Sequence, residues 1–292
     1  MRFATLDING KQTVAAISAD GKQYCPANKL VPGFDGDMAD FIARTPSVAS
    51  LASQSLAWTP IAALRVLAPI PLPKRNVFCV GKNYHAHAKE FAQSGFDSSA
   101  ATGELAPPYP VVFTKAPSSV VGPNDDVLAF ADLTEQLDYE AELGVIIGKG
   151  GRGISKEDAL SHVWGYTIIN DVTARDLQQK HRQWFIGKSL DTFCPMGPWI
   201  VTADEVESGN LAVRCWINDE LRQDANTSDL IFDIPTVIAT LSAGMTLLPG
   251  DVIATGTPAG VGIGFKPPKF LKSGDVMKIA IEGLGELVNR VK

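Results

Sequence analysis

Long apolar runs are missing from this chain. Its longest, such as Val145-Ile146-Ile147 and Val237-Ile238-Ala239, fall far short of the ~20 residues that a membrane-spanning helix needs. No basic cluster occurs either. Lys and Arg number 26 against 32 Asp and Glu, for a formal net charge of -6 and a pI of about 5.3, which argues against nucleic acid as a partner. Cysteine is scarce. Cys25, Cys79, Cys194 and Cys215 stand far apart with no Cys-x-x-Cys pair, the pattern of buried free thiols in a reducing cytosol. Neither they nor the four histidines show the ligand spacing of a zinc site. The opening residues Met1 to Asp7 hold no secretory apolar region, so the expected location is cytoplasmic, with no membrane association.

What is present suffices for a large core. At 292 residues and 45% hydrophobic content, the chain can form one or two domains. Asn9-Gly10 and Asp20-Gly21 are hairpin turn signals, and Asp35-Gly36-Asp37 offers N-caps for a helix through Met38 to Ile42. Pro69, Pro71 and Pro73 then alternate, favouring extended chain. A boundary is therefore expected at residue 72, between a small N-terminal domain and a larger domain over 73–292. The larger part reads as strands at 76–80, 111–115, 166–169, 251–254 and 276–281. Short helices are expected after His85, after Ser155 with a capping-box pattern, after Thr173 as N-cap, and after Asp233 with Pro235 in the first turn. Residues 93–110, rich in Ser, Ala, Gly and Pro, read as a mobile loop. The order implies a β-rich α+β fold.

The most informative segment is Leu137-Asp138-Tyr139-Glu140-Ala141-Glu142-Leu143-Gly144. As a strand it turns Leu137, Tyr139, Ala141 and Leu143 one way and three acids the other. Carboxylates on one face stand roughly 6.5–7 Å apart. They repel and raise each other's pKa unless a cation lies between them, and a hard divalent ion suits oxygen ligands. A solvated strand face gives the same alternation. Asp171, where the strand ending at Asn170 turns toward a helix, could supply a third carboxylate or simply cap that helix.

Three further groups could carry chemistry. His87 and Glu90 share a helical face at i,i+3, and a carboxylate that orients an imidazole suits it to act as a general base; a surface pair has the same spacing. Gly187-Lys188-Ser189 looks like the end of a P-loop, but the glycine that motif requires is replaced by Arg182, so nucleotide binding is rejected. Lys188 reads as a fixed cation near an anionic substrate, or as a surface lysine. Glycines 256, 260 and 262, after a strand, let backbone N–H groups approach an anion, or make a plain turn.

Taken in order, Phe78-Cys79-Val80-Gly81-Lys82-Asn83-Tyr84, Asp138 to Gly144, Gly165-Tyr166, Asn170 to Asp176, Gly187 to Phe193, Pro195 to Pro198 and Thr255-Gly256-Thr257-Pro258 resemble the fumarylacetoacetate hydrolase family. The resemblance covers roughly residues 75–290, and the first 70 are similar to the small N-terminal domain of bacterial members. It implies a mixed β-roll catalytic domain that usually forms a homodimer. It implies Mg²⁺ or Mn²⁺ on Glu140, Glu142 and Asp171, His87 and Glu90 as a lid-borne base pair, and Lys188 as the cation beside the metal. Arg175, Gln178 and Thr257 fall where relatives contact substrate. The loop 93–110 is longer than in compact acylpyruvase-like members, so their substrate does not transfer. The expected reaction is hydrolysis of a carbon–carbon bond in a β-diketo acid of the acylpyruvate or fumarylpyruvate type, through a metal-bound enolate, as in aromatic catabolism. The alternative on the same site is decarboxylation or isomerisation of a β-keto acid such as oxaloacetate or an unsaturated keto-diacid, with ureidoglycolate-type lyase chemistry weaker. A non-catalytic binding protein on the same scaffold is disfavoured because every candidate residue is present.

Overall fold

Hydrogen-bonded strands account for most of the regular structure in the computed structural model, which describes residues 1–45, 51, 56–61, 64–95 and 106–292. In the largest sheet the strands run, edge to edge, Thr59–Pro60, Gln23–Pro26, Lys11–Ile17, Arg2–Ile8, Cys194–Thr202, Val163–Asn170, Ala141–Ile147, Val252–Ala254, Val77–Gly81 and Val111–Lys115. A second sheet holds Glu220–Asn226, Ala212–Ile217, Val276–Ile281, Gly285–Val291 and Asp126–Val127. Parallel and antiparallel pairs coexist, and the helices are few and short, so the β-rich α+β expectation holds. Part of the expected loop 93–110 lies outside the described residues.

Local signals explain the elements. Asn9 and Gly10 both take positive φ, 55° and 80°, as a two-residue turn between twisted strands requires. Asp37 caps Met38–Arg44 by accepting from the Asp40 N–H at 2.8 Å, and Asp233 caps Ile234–Ser242 by accepting from the Thr236 N–H at 2.9 Å.

Two expected helix starts are different in the structure. Ser155 Oγ does accept from the Asp158 N–H at 3.2 Å, yet only a 3-10 turn, Ala159–His162, follows. The strand Val163–Asn170 begins at once, and its pairing on both sides leaves no length for a helix. Thr173 is not a cap. It pairs with Asp138 in a short ladder, and its hydroxyl donates to the Asp171 carbonyl at 2.9 Å; the helix Arg175–Lys180 starts two residues later.

The main sheet is buried on both faces. Leu143, Val145 and Ile147 point into a core shared with Val213, Ile279 and Leu287 of the second sheet and with Val237 and Leu241 of the helix Ile234–Ser242. Ile146 points into the opposite core, built with Phe3, Met38, Phe41 and Ile42. There Trp164 joins the N-terminal part to the sheet. Its ring centroid lies 5.3 Å from that of Phe3 and 6.2 Å from that of Phe41, and its indole N–H donates to the Thr45 carbonyl at 2.7 Å. The strand Arg2–Ile8 continues the same sheet by pairing with Cys194–Thr202.

Phe41 is fully buried in this core. Phe41→Ala is expected to destabilise the fold by about 3–5 kcal/mol, read as a lower urea midpoint at unchanged slope. A loss below about 1 kcal/mol would show that this aromatic cluster does not anchor the N-terminal strands.

Candidate metal centre

The acid-bearing segment behaves as its alternation predicts, with one interruption. Leu137, Tyr139, Ala141 and Leu143 all enter the core between the sheets, which turns Asp138, Glu140 and Glu142 the other way. Regular pairing, however, breaks at Tyr139 and Glu140, between the strand Leu137–Asp138 and the strand Ala141–Ile147. That break separates the fates of the acids. Asp138 is drawn aside, accepting from the backbone N–H groups of Gly262 at 2.6 Å and Ile263 at 3.1 Å and from Arg175 Nε at 2.9 Å.

Antiparallel register brings in the third carboxylate. Ala141 is opposite Asn170, so Asp171 falls beside Glu140. The Asp171 N–H donates to the Glu140 carbonyl at 2.9 Å, and Asn170 Oδ1 accepts from the Glu140 N–H at 3.1 Å. Carboxylate oxygens of Glu140, Glu142 and Asp171 all lie within 4.8 Å of one another, and each residue is at most 4% exposed.

Burying carboxylates this way is costly without compensation. Lys188 Nζ donates to Glu140 Oε2 at 2.8 Å and to Asp171 Oδ2 at 2.7 Å. Its position follows from Gly187, where a side chain would run into the backbone of Gln178 and Ala174; the turn Phe185–Lys188 thus packs tightly on the helix Arg175–Lys180. Lys115, wholly buried at the end of the strand Val111–Lys115, donates to Asp171 Oδ1 and to the Val172 carbonyl. Arg175 Nη2 forms an ion pair with Glu140 Oε1 at 2.7 Å.

These partners set the ionisation of the cluster. Burial opposes the charge on Glu140, but Lys188 and Arg175 outweigh it and hold that carboxyl well below the usual range. For Glu142 burial raises the pKa, and the neighbouring Asp171 and Glu140 push it up further. Its hydrogen bond comes from the Gly256 N–H, at 2.8 Å. Burial likewise opposes the charge on Lys188, but Asp171 and Glu140 reverse the effect and raise its pKa. Among the described residues, four buried carboxylates, counting Asp138, thus meet three buried cations that pair with them, Lys115, Arg175 and Lys188, while a fourth buried cation, Lys82, lines the same recess. Of these four carboxylates, Glu142 is the one held by a backbone N–H and by no ion pair. A set of three clustered carboxylates, one of them without a cation partner, fits a hard divalent cation such as Mg²⁺ or Mn²⁺, and Glu140, Glu142 and Asp171 would hold it.

A narrow recess opens onto this cluster. Glu140, Glu142, Arg175, Gln178, Lys188, Thr257 and His87 all line it, together with Lys82 and the rings of Phe91, Phe113 and Trp184. His87 is carried by the helix His85–Ser94, with Nδ1 3.2 Å from Glu90 Oε2, while His85 points to solvent. Gln178 Oε1 accepts from Arg175 Nη1 at 3.2 Å, and Thr257 Oγ1 accepts from Gln223 Nε2 at 2.8 Å. Sequence reasoning missed Lys115, Lys82 and the aromatic wall. The signal for Lys115 was a lone cation closing an apolar strand. The glycine loop does bring N–H groups to anions, and these are the chain's own carboxylates: Gly256 on Glu142, Gly260 on Glu90 and Gly262 on Asp138. No described helix is long and apolar enough to cross a membrane.

Comparison with known proteins places the whole chain. Residues 76–292 match the family model described as fumarylacetoacetate (FAA) hydrolase C-terminal. Over its full length the chain is 45% identical to the oxaloacetate tautomerase YisK of Bacillus subtilis, which it also covers in full. Among solved structures, a fumarylacetoacetate hydrolase from psychrophilic Exiguobacterium antarcticum is 44% identical with a TM-score of 0.85, covering 100% of this chain and 99% of that one. The maleylpyruvate hydrolase of Sphingobium sp. SYK-6, solved with manganese(II) and pyruvate, is 34% identical with a TM-score of 0.77, covering 100% and 98%. With its sheet order, its buried acid cluster and these matches, the chain belongs to the fumarylacetoacetate hydrolase family.

Proposed function

We propose that this protein is a divalent-metal-dependent enzyme that interconverts the keto and enol forms of a small 2-oxo dicarboxylate such as oxaloacetate. The observation that carries this reading is the recess itself. Among the described residues lining it, one imidazole, His87, faces a cluster of buried acids and cations suited to a 2-oxo acid. The full-length likeness to an oxaloacetate tautomerase supports the keto-acid isomerase alternative over the carbon–carbon hydrolase that the sequence first suggests.

A divalent ion on Glu140, Glu142 and Asp171 would polarise the 2-oxo carbonyl and acidify the adjacent C–H. The remaining work falls to the chain. Glu90 holds His87 through Nδ1, which leaves Nε2 to take the proton from C3. The C–H electron pair becomes the C2=C3 bond, and the carbonyl π pair moves onto oxygen. Lys188, with two of its three N–H groups on Glu140 and Asp171, offers its third to that developing charge. The imidazolium then returns the proton to oxygen, giving the enol and restoring the pair. Phe91, Phe113 and Trp184 limit water in the recess, which strengthens each of these interactions.

A second reading has its own support. The same His87–Glu90 pair could deprotonate water for carbon–carbon hydrolysis, and a maleylpyruvate hydrolase is among the structural relatives. A panel of oxaloacetate, acylpyruvates and fumarylpyruvate, with and without Mg²⁺, separates the two. Tautomerisation of oxaloacetate with little release of pyruvate from the diketo acids supports our reading. Fast hydrolysis of a diketo acid with no tautomerase activity would replace it.

Two substitutions test the parts. Glu142→Gln should weaken Mn²⁺ binding by at least about 100-fold, measured by calorimetry on metal-stripped protein; unchanged affinity would remove Glu142 from the ligand set. His87→Ala should lower kcat by about 10²–10⁴-fold with metal affinity unchanged, and wild-type turnover in that variant would exclude His87 as the proton carrier.

A further inference from the structure

The loop 255–264 does more than pass beneath the site. Its N–H groups hold Glu142, Glu90 and Asp138 in turn, one carboxylate each from the metal cluster, the base pair and the partner of Arg175. At Glu90 two glycines meet one carboxylate. The Gly260 N–H donates to its two oxygens, at 3.0 and 3.3 Å. Gly264 lies against the same side chain so closely that a Cβ there would fall 1.9 Å from Oε1, 2.2 Å from Cδ and 2.7 Å from Cγ of Glu90.

Those three nearest atoms all belong to Glu90, and Gly264 is not among the residues with positive φ. A methyl group at 264 therefore meets a flexible side chain and leaves the backbone unstrained, unlike one at Gly260, which takes φ 102° and would strike the Arg222 carbonyl. An outer groove lined by Lys89, Gln93 and Lys266 beside Glu90 gives a displaced carboxylate somewhere to go.

From this geometry we infer that Gly264 is a positioning residue for proton transfer: its lack of a side chain seats Glu90 between the Gly260 N–H and His87 Nδ1. The inference rests on the assignment of His87 and Glu90 as the proton-transfer pair. Gly264→Ala would displace the Glu90 carboxylate, release Nδ1 and leave the imidazole free to rotate. Glu90→Asp shortens the acid by one methylene, which draws its end back from that methyl group and relieves part of the contact.

The experiment compares wild type, G264A, E90D and the G264A/E90D double variant. For G264A, kcat is expected to fall at least 10-fold, with KM for oxaloacetate and Mn²⁺ affinity within about 2-fold of wild type. The downfield Nδ1–H resonance of His87 in nitrogen-edited NMR of the metal-free protein should be lost. In the double variant the resonance should return, and kcat should exceed that of G264A. The inference is overturned if G264A keeps both kcat and the resonance, or if the double variant is no better than G264A. If G264A unfolds, as read by circular dichroism, Ala at 264 acts on the fold and the inference is likewise overturned. The NMR arm needs no turnover. A wild type inactive on every 2-oxo acid would sink the functional reading, while the resonance would still decide the role of Gly264.

Discussion

Four carboxylates buried in one cluster are the constraint around which the rest of this structure is arranged. Taking Asp138, Glu140, Glu142 and Asp171 out of water is unfavourable unless each finds a cation or a set of N–H donors. The fold meets that demand from far apart in the chain. Lys115 reaches Asp171 across 56 positions, Arg175 reaches Asp138 across 37, and Lys188 reaches Glu140 across 48. Three short pieces of secondary structure and one glycine loop are held in place to deliver those groups. Of the four, only Glu142 is left with a backbone N–H and a raised pKa, and a divalent cation would supply the partner it lacks.

The same arrangement accounts for the kind of substrate the site would take. With a divalent ion present, the buried cluster carries a net positive charge, and a 2-oxo acid brings the complementary negative charge. The pair proposed for proton transfer comes from a different part of the chain, the helix His85–Ser94, and the glycine loop links it to the acid cluster by holding Glu90 and Glu142 within five residues of each other, at Gly260 and Gly256. One loop thus contacts both the carboxylate beside the imidazole and a carboxylate of the acid cluster, and fixed placement of such groups is where enzymes gain most from electrostatics.

Much of this was legible in the sequence wherever the signal was local. The period-2 pattern at residues 137–143 placed the acids on one face and their apolar neighbours in the core. Asn9-Gly10 gave its hairpin, and Asp37 and Asp233 gave their caps. Asp171 stood at a strand end, where the register then set it beside Glu140. The failures have physical reasons too. The capping pattern at Ser155 was outcompeted by strand pairing a few residues on. Thr173 had a better use in the ladder with Asp138. Lys115 looked like any lysine at the end of a strand, because nothing in its neighbourhood shows that its partner lies at 171. The glycine loop advertised free N–H groups, and only the folded chain reveals that its own carboxylates take them.

The central claim is that the acid cluster is a metal centre serving proton transfer on a 2-oxo acid. Its most direct test is the rate of oxaloacetate keto–enol interconversion by exhaustively chelated protein, followed as Mg²⁺ or Mn²⁺ is titrated back. Expected are no catalysis in the chelated protein and full recovery at one ion per chain. Undiminished catalysis by the chelated protein would contradict it.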